Sequence, residues 1–181
     1  MTAKLKKTVV MVGMMGAGKS AVGKELAHQL GVPFLDSDAE IERAANATIA
    51  EIFERDGEVF FRDKEARVIA RLLEGEPCIL SVGGGAFLRA GTRDLVSDRG
   101  VSVWLRADLE TLWQRVKRKD TRPLLRTANP RQTLANLMAA REPAYAEANL
   151  IVASTPEYAI ETTAKFTADA LATRPDVLSL H

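Results

Sequence analysis

The stretch Gly13-Met14-Met15-Gly16-Ala17-Gly18-Lys19-Ser20 follows the pattern G-x-x-x-x-G-K-S and restricts the fold of this chain more than any other segment. It lies between a continuous apolar run, Val9 to Val12, and a segment in which Val22, Leu26 and Leu30 recur at helical spacing before Gly31. The first reads as a buried strand and the second as a helix that the glycine stops. A glycine-rich turn placed there lets the backbone curl until several N–H groups converge on phosphate oxygens, with the positive end of the helix behind them. Lys19 is placed to reach a transferring phosphate, and the Ser20 hydroxyl to ligate a Mg²⁺ that bridges phosphates. Such a loop specifies a nucleoside triphosphate site but not a reaction, since kinases, GTPases and motor ATPases share it. No Asn-Lys-x-Asp guanine-reading pattern accompanies it, which counts against a GTPase.

Further along, Phe34 and Leu35 form a short strand ending in Asp36, Ser37 and Asp38, and either acid can cap a helix that begins near Ala39. Thr48 and Glu51 have capping-box spacing for a short helix that breaks at Asp56 and Gly57, after which a longer helix runs from Glu58 to Leu73. Cys78 to Val82, Val101 to Leu105 and Leu150 to Val152 read as further strands. Helices are expected from about Leu109 to Arg118, with Leu112, Trp113 and Val116 on one face, from about Arg131 to Ala140, and from about Pro156 to Leu171. Nearly all-apolar strands alternating with helices imply an α/β fold of three layers, a five-stranded parallel sheet covered on both faces. With no repeat and no Pro/Gly-rich linker, residues 1–181 read as one domain, with a loose tail after Ala172.

Charge and cysteine usage narrow the partners. Lys plus Arg number 25 against 24 for Asp plus Glu, so no whole-molecule field gathers nucleic acid or an anionic membrane. Cys78 is the only cysteine, which excludes an intrachain disulfide and a cysteine metal cluster and suits a reducing, cytoplasmic compartment. Lys4, Lys6 and Lys7 before an apolar stretch imitate a signal peptide, but the run to Met15 is far short of the ~20 residues that span a bilayer and leads straight into Gly16, Gly18 and Lys19.

Candidate acceptor residues follow from the same placement. Asp36 and Asp38 sit at the end of the second strand, where open α/β sheets bind ligands, and one can hold a water on the metal while the other receives a hydroxyl. The bland alternative is that they only cap the next helix. Arg62 and Arg141 offer planar forks suited to a carboxylate, although either alone reads more readily as a solvated surface residue. Gly83, Gly84 and Gly85 after an apolar strand mark either a close approach of backbone to ligand or a tight turn. Arg115, Lys117, Arg118, Lys119, Arg122 and Arg126 crowd one short segment. It can be a solvated helix face, a nucleic-acid patch, which the lack of aromatics for base stacking in its loop portion disfavours, or a mobile lid over about 117–130 that closes cations on triphosphate and keeps water out, the reading that best suits a kinase.

Gly16-Ala17-Gly18-Lys19-Ser20, Asp36-Ser37-Asp38, Gly57-Glu58-x-x-Phe61-Arg62, Gly83-Gly84-Gly85, Arg122-Pro123-Leu124-Leu125 and Arg141-x-Pro143-x-Tyr145 occur in an order and spacing that resemble the shikimate kinase family, over about Val9 to Leu171. The resemblance implies a nucleoside monophosphate kinase-like fold, a monomer, and transfer of the ATP γ-phosphate to the 3-hydroxyl of shikimate. It also implies roles. Lys19, Asp38 and Arg122 would be catalytic, with Asp38 as base and hydroxyl binder. Ser20 would ligate Mg²⁺ directly and Asp36 through water. Arg62 and Arg141 would grip the carboxylate, with Gly83, Gly84 and Gly85 alongside, in a substrate region of about 36–64. ATP would meet Gly16, Ala17, Gly18, Lys19, Ser20, Ala21 and Arg122, with Arg115, Thr155 and Pro156 flanking adenine. One departure is Ala21, where the family commonly has Thr or Ser; it removes a hydroxyl contact to the α-phosphate. The stretch from Arg122 to Arg141 is also about one residue shorter than in some relatives. Gluconate-type sugar-acid kinases, and a nucleotide-binding module without catalysis, are the competing readings.

Overall fold

The computed structural model describes residues 3–117 and 125–180. In chain order the elements are β1 (Ala3–Leu5), β2 (Thr8–Val12), α1 (Lys19–Leu30), β3 (Phe34–Asp36), α2 (Ser37–Ala45), α3 (Ile49–Leu73), β4 (Ile79–Ser81), a single 3-10 turn (Ala86–Leu88), α4 (Ala90–Arg99), β5 (Gly100–Arg106), α5 (Leu109–Val116), α6 (Pro130–Tyr145), β6 (Leu150–Ala153), α7 (Ile160–Ala172) and β7 (Leu178–Leu180). β3, β4, β2, β5 and β6 form, in that order, a five-stranded sheet in which every neighbouring pair is parallel. This is the expected three-layer architecture.

Strand order fixes where the helices go. From β2 the chain steps over β4 to reach β3, and from β4 it steps back over β2 to reach β5. Right-handed crossovers in opposite directions put α1 on one face and α3 and α4 on the other, and α7 returns to pack on α1. β2 therefore has strands on both edges and helices on both faces, and all five of its residues are buried. A second small core of Ile41, Ile52, Phe61 and Val68 joins α2 to α3. Ile41 and Ile52 are wholly buried, each worth about 2–3 kcal/mol of apolar transfer.

Local signals set several boundaries as expected. Asp36 is the acid that caps α2, its Oδ1 accepting from the Asp38 and Ala39 N–H groups at 2.8 and 3.3 Å. Thr48 Oγ1 accepts from the Glu51 N–H at 3.1 Å, and α3 is broken at Gly57 (φ 85°, ψ 174°). α4 has no counterpart in the sequence reading, because it buries only Thr92 and Val96 and so carries no apolar period.

The tail after Ala172, expected to be loose, is folded back. β7 pairs antiparallel with β1, Val177 and Leu178 are buried, and the Lys6 N–H donates to Val177 O at 2.7 Å. Each of these short strands has its partner at the opposite end of the chain, and neither pairs with the main sheet. Removing a buried leucine side chain costs about 2–4 kcal/mol, so Leu178→Ala is expected to lower the urea midpoint of unfolding distinctly. An unchanged midpoint would mean that the terminal ribbon adds no stability.

Candidate active site

The carboxyl ends of β2, β3, β4 and β6 open onto one cavity of about 1600 Å³. On one side lies the phosphate loop. Gly16 has φ 83°, and a Cβ there would fall 2.8 Å from Val116 Cγ1 of α5, so both the backbone angle and the space demand glycine. Lys19 Nζ folds over the loop to donate to Gly13 O at 2.6 Å. Arg115 of α5 donates to Gly16 O (2.9 Å), Ala17 O (3.3 Å) and Ser154 Oγ (3.2 Å), and Ser154 Oγ in turn donates to Ala17 O (2.8 Å). The helix after β5 and the loop after β6 thus clamp the phosphate loop from behind. Thr155 lines the cavity beside this clamp, and its buried Oγ1 has no partner among the described residues.

The opposite wall is built from α2, α3, α6 and the turn after β4. Asp38 is half-buried there; burial pushes its carboxyl above the usual range, the nearby Asp36 adds to this, and Lys19 partly offsets it. Arg62 donates through NH1 to Glu65 Oε1 at 3.0 Å, its Nε lies 3.6 Å from Glu58 Oε1, and its guanidinium carbon sits 5.2 Å from the Phe61 ring centre. Arg141 is buried, as is Glu65. Burial raises the Glu65 carboxyl, with Arg62 opposing, and Oε2 is left without a hydrogen-bond partner among the described residues.

Gly83, Gly84 and Gly85 connect these groups. None of the three has a positive φ, so the reason for glycine is space. A Cβ on Gly83 would fall 3.1 Å from Asp38 Oδ1, one on Gly84 2.6 Å from Arg141 NH1, and one on Gly85 would collide with the Arg62 guanidinium. Each glycine makes room for one of the three side chains proposed from sequence. The run forms a turn, with the Ala86 N–H donating to Gly83 O at 3.1 Å, and it is these side chains that approach its backbone closely.

Gly16, Ala17, Gly18, Lys19, Ser20, Ala21, Asp36, Asp38, Arg62, Gly83, Gly84, Gly85, Arg115, Arg141 and Thr155 all line the one cavity. Pro156 does not, and it is exposed. Arg122, with residues 118–124 of the expected lid, lies outside the described residues. Sequence reading missed Glu65, whose signal was its spacing three residues from Arg62 on one helix, and Ser154, for which no local signal exists. It also gave no role to Phe53, whose ring lies 4.7 Å from that of Phe61 at the cavity wall.

The Ser20 hydroxyl and the Asp36 carboxylate share the cavity, and the helix cap engages only Oδ1 of Asp36. Among the described residues no group of three or more His, Cys, Asp or Glu forms a cage. So few oxygen donors fit a hard divalent cation that keeps most of its water and is shared with a phosphate ligand.

Comparison with known proteins agrees with this geometry. The family model described as shikimate kinase matches residues 15–171. A shikimate kinase of Ruegeria pomeroyi is 67% identical over 178 residues, covering 98% of this chain and 91% of that protein. One of Cereibacter sphaeroides is 66% identical over 176 residues, covering 97% and 88%. The structure of a shikimate kinase from Acinetobacter baumannii in complex with shikimate superposes with a TM-score of 0.86 at 40% identity, covering 92% of this chain and 93% of that one.

Glu65 yields a test of the electrostatics. Because the folded state raises its pKa, the stability attached to this group is fully present below its unfolded value of 4.5 and is lost as pH rises through the folded value. Glu65→Gln, which keeps an acceptor for Arg62, is therefore expected to melt higher than the parent at neutral pH. The two melting temperatures should converge as pH falls toward 4.5. A variant that melts lower at neutral pH would overturn the assignment.

Proposed function

The chain belongs to the shikimate kinase family, and from that premise we propose how its residues share the work of an ATP-dependent kinase acting on shikimate. The reaction moves the γ-phosphate of ATP to the 3-hydroxyl of shikimate, giving ADP and shikimate 3-phosphate on the route to chorismate and the aromatic amino acids. The observation that carries the division of labour is that one cavity holds the phosphate loop on one wall and Asp38, Arg62 and Arg141 against successive glycines on the other.

On the nucleotide wall, the loop amides and the N-terminal end of α1 receive the phosphates, and Lys19 exchanges its contact with Gly13 O for the transferring phosphoryl oxygens. Ser20 would hold Mg²⁺ directly and Asp36 through water, and the ion would supply positive charge against the phosphates. Ala21 supplies no hydroxyl to the α-phosphate, which weakens ATP binding. Arg115 and Thr155 border the adenine, and Arg122, on a lid over about 117–130, would meet the phosphates from outside.

On the acceptor wall, Arg62 and Arg141 take the shikimate carboxylate. With the ring so anchored, Asp38 binds the hydroxyls and aims the 3-oxygen at the γ-phosphorus. Phosphoryl transfer passes through a loose transition state, so the hydroxyl proton leaves late, and Asp38 can accept it. Burial makes Asp38 a stronger base than an exposed aspartate. The whole chain is read as a single-domain, monomeric, cytoplasmic enzyme. Among the described residues no helix is long and apolar enough to cross a membrane.

ADP formation from MgATP, measured with shikimate, with gluconate and with no acceptor, tests the reaction: turnover is expected with shikimate alone. Turnover only with gluconate would reassign the acceptor wall. Lys19→Ala should lower kcat by at least about 10²–10³-fold without changing the circular dichroism spectrum, and near-normal kcat would remove Lys19 from the chemistry. A charge-assisted pair is worth about 2–3 kcal/mol, so Arg62→Ala should raise KM for shikimate roughly 30- to 150-fold with KM for ATP unchanged. An unaffected KM would refute the carboxylate grip.

A further inference from the structure

Tyr145 ends the motif that begins at Arg141, and the reaction as described assigns it nothing. It lies one helical turn after Arg141 on α6, so both side chains leave the same face. Among the described residues it is the largest fully buried side chain. Its ring packs on Trp104 of β5 at 5.8 Å between centres, tilted by 41°. Its hydroxyl donates to Gly84 O, and the hydroxyl oxygen lies 3.9 Å from Met14 Sδ in the phosphate loop.

A phenol has one proton to give. Directed to Gly84 O, that proton leaves the oxygen's lone pairs available to the Arg141 guanidinium, which carries only donors and whose NH1 lies, like the Tyr145 hydroxyl, against Gly84. Burial pushes the Tyr145 pKa up to about 12, with Arg141 opposing, so the proton stays in place across the neutral range. A planar peptide cannot turn its carbonyl without turning the N–H on its other side. Holding Gly84 O therefore also holds the Gly84–Gly85 peptide that borders the Arg141 and Arg62 guanidinium groups.

We propose that Tyr145 is a positioning residue for the acceptor: its hydroxyl fixes the Arg141 guanidinium and the Gly84 peptide in one arrangement, ready for the substrate carboxylate. The inference rests on the reading of Arg141 as a carboxylate binder. Without the hydroxyl, Arg141 loses an acceptor and Gly84 O a donor, so the carboxylate must order both groups as it binds.

Tyr145→Phe keeps the ring and removes only that oxygen. KM for shikimate is expected to rise roughly tenfold, the size of one lost hydrogen bond in a buried site, with KM for ATP unchanged and kcat within roughly threefold. In an Arg141→Ala background the same substitution should change KM for shikimate by less than roughly twofold, because the two residues act through one interaction. A general structural role would instead lower kcat and raise both KM values together, and independent action would give additive effects; either result overturns the proposal, as does an unchanged KM. A second measurement covers the case in which Tyr145→Phe does not fold. Tyr145 and Tyr158 are the only tyrosines. With 3-fluorotyrosine at both, assigned through Tyr158→Phe, the Tyr145 fluorine resonance should shift on adding shikimate, and its failure to shift would also overturn the proposal. If the parent itself does not turn over shikimate, the carboxylate reading fails instead, which the parent assay reveals before any variant is compared.

Discussion

β2 is the element on which the rest depends. A parallel strand with hydrogen-bonded neighbours on both edges and helices over both faces has no contact with water, and its five residues are correspondingly buried. The phosphate loop hangs from its carboxyl end. A loop that must aim backbone N–H groups at an anion cannot satisfy all of them internally, so it needs a rigid mount. The mount is completed by Arg115 and Ser154, which bond to the carbonyls of Gly16 and Ala17 and leave the amide side of the loop for its ligand.

The acceptor wall is organised by a different limit, the lack of room for a Cβ at Gly83, Gly84 and Gly85. Three charged side chains from separate helices meet one turn of backbone, each against a different glycine. Bringing them this close has an electrostatic cost. Asp38 and Glu65 both have their pKa raised by burial first, meaning that the folded protein would be more stable with each of them neutral. For both groups the Arg62 guanidinium offsets part of that cost.

Much of this could be read along the chain. The phosphate loop, the central strands and the capping of α2 and α3 depend on residues within one turn or one strand of each other. Asp38, Arg62 and Arg141 were legible as residue types suited to an acid acceptor, but nothing local distinguished them from caps and surface arginines. The cavity is what gathers all three. α4 escaped notice because it presents only Thr92 and Val96 to the core, too little for a helical period to register.

The sequence by itself determined the class of fold, the nucleotide site and the family, because these reside in short-range patterns: a glycine-rich turn between an apolar strand and a helix, and motifs in a fixed order. Tertiary structure decided what those patterns are for. Only when β4, α2, α3 and α6 come together does the glycine run become a spacer for three side chains, and Tyr145 a contact between Gly84 and the phosphate loop. The pairing of β1 with β7 likewise joins the two ends of the chain. Contacts of that kind are made between residues tens of positions apart, and their energy comes from burial and close approach, neither of which any single segment can express.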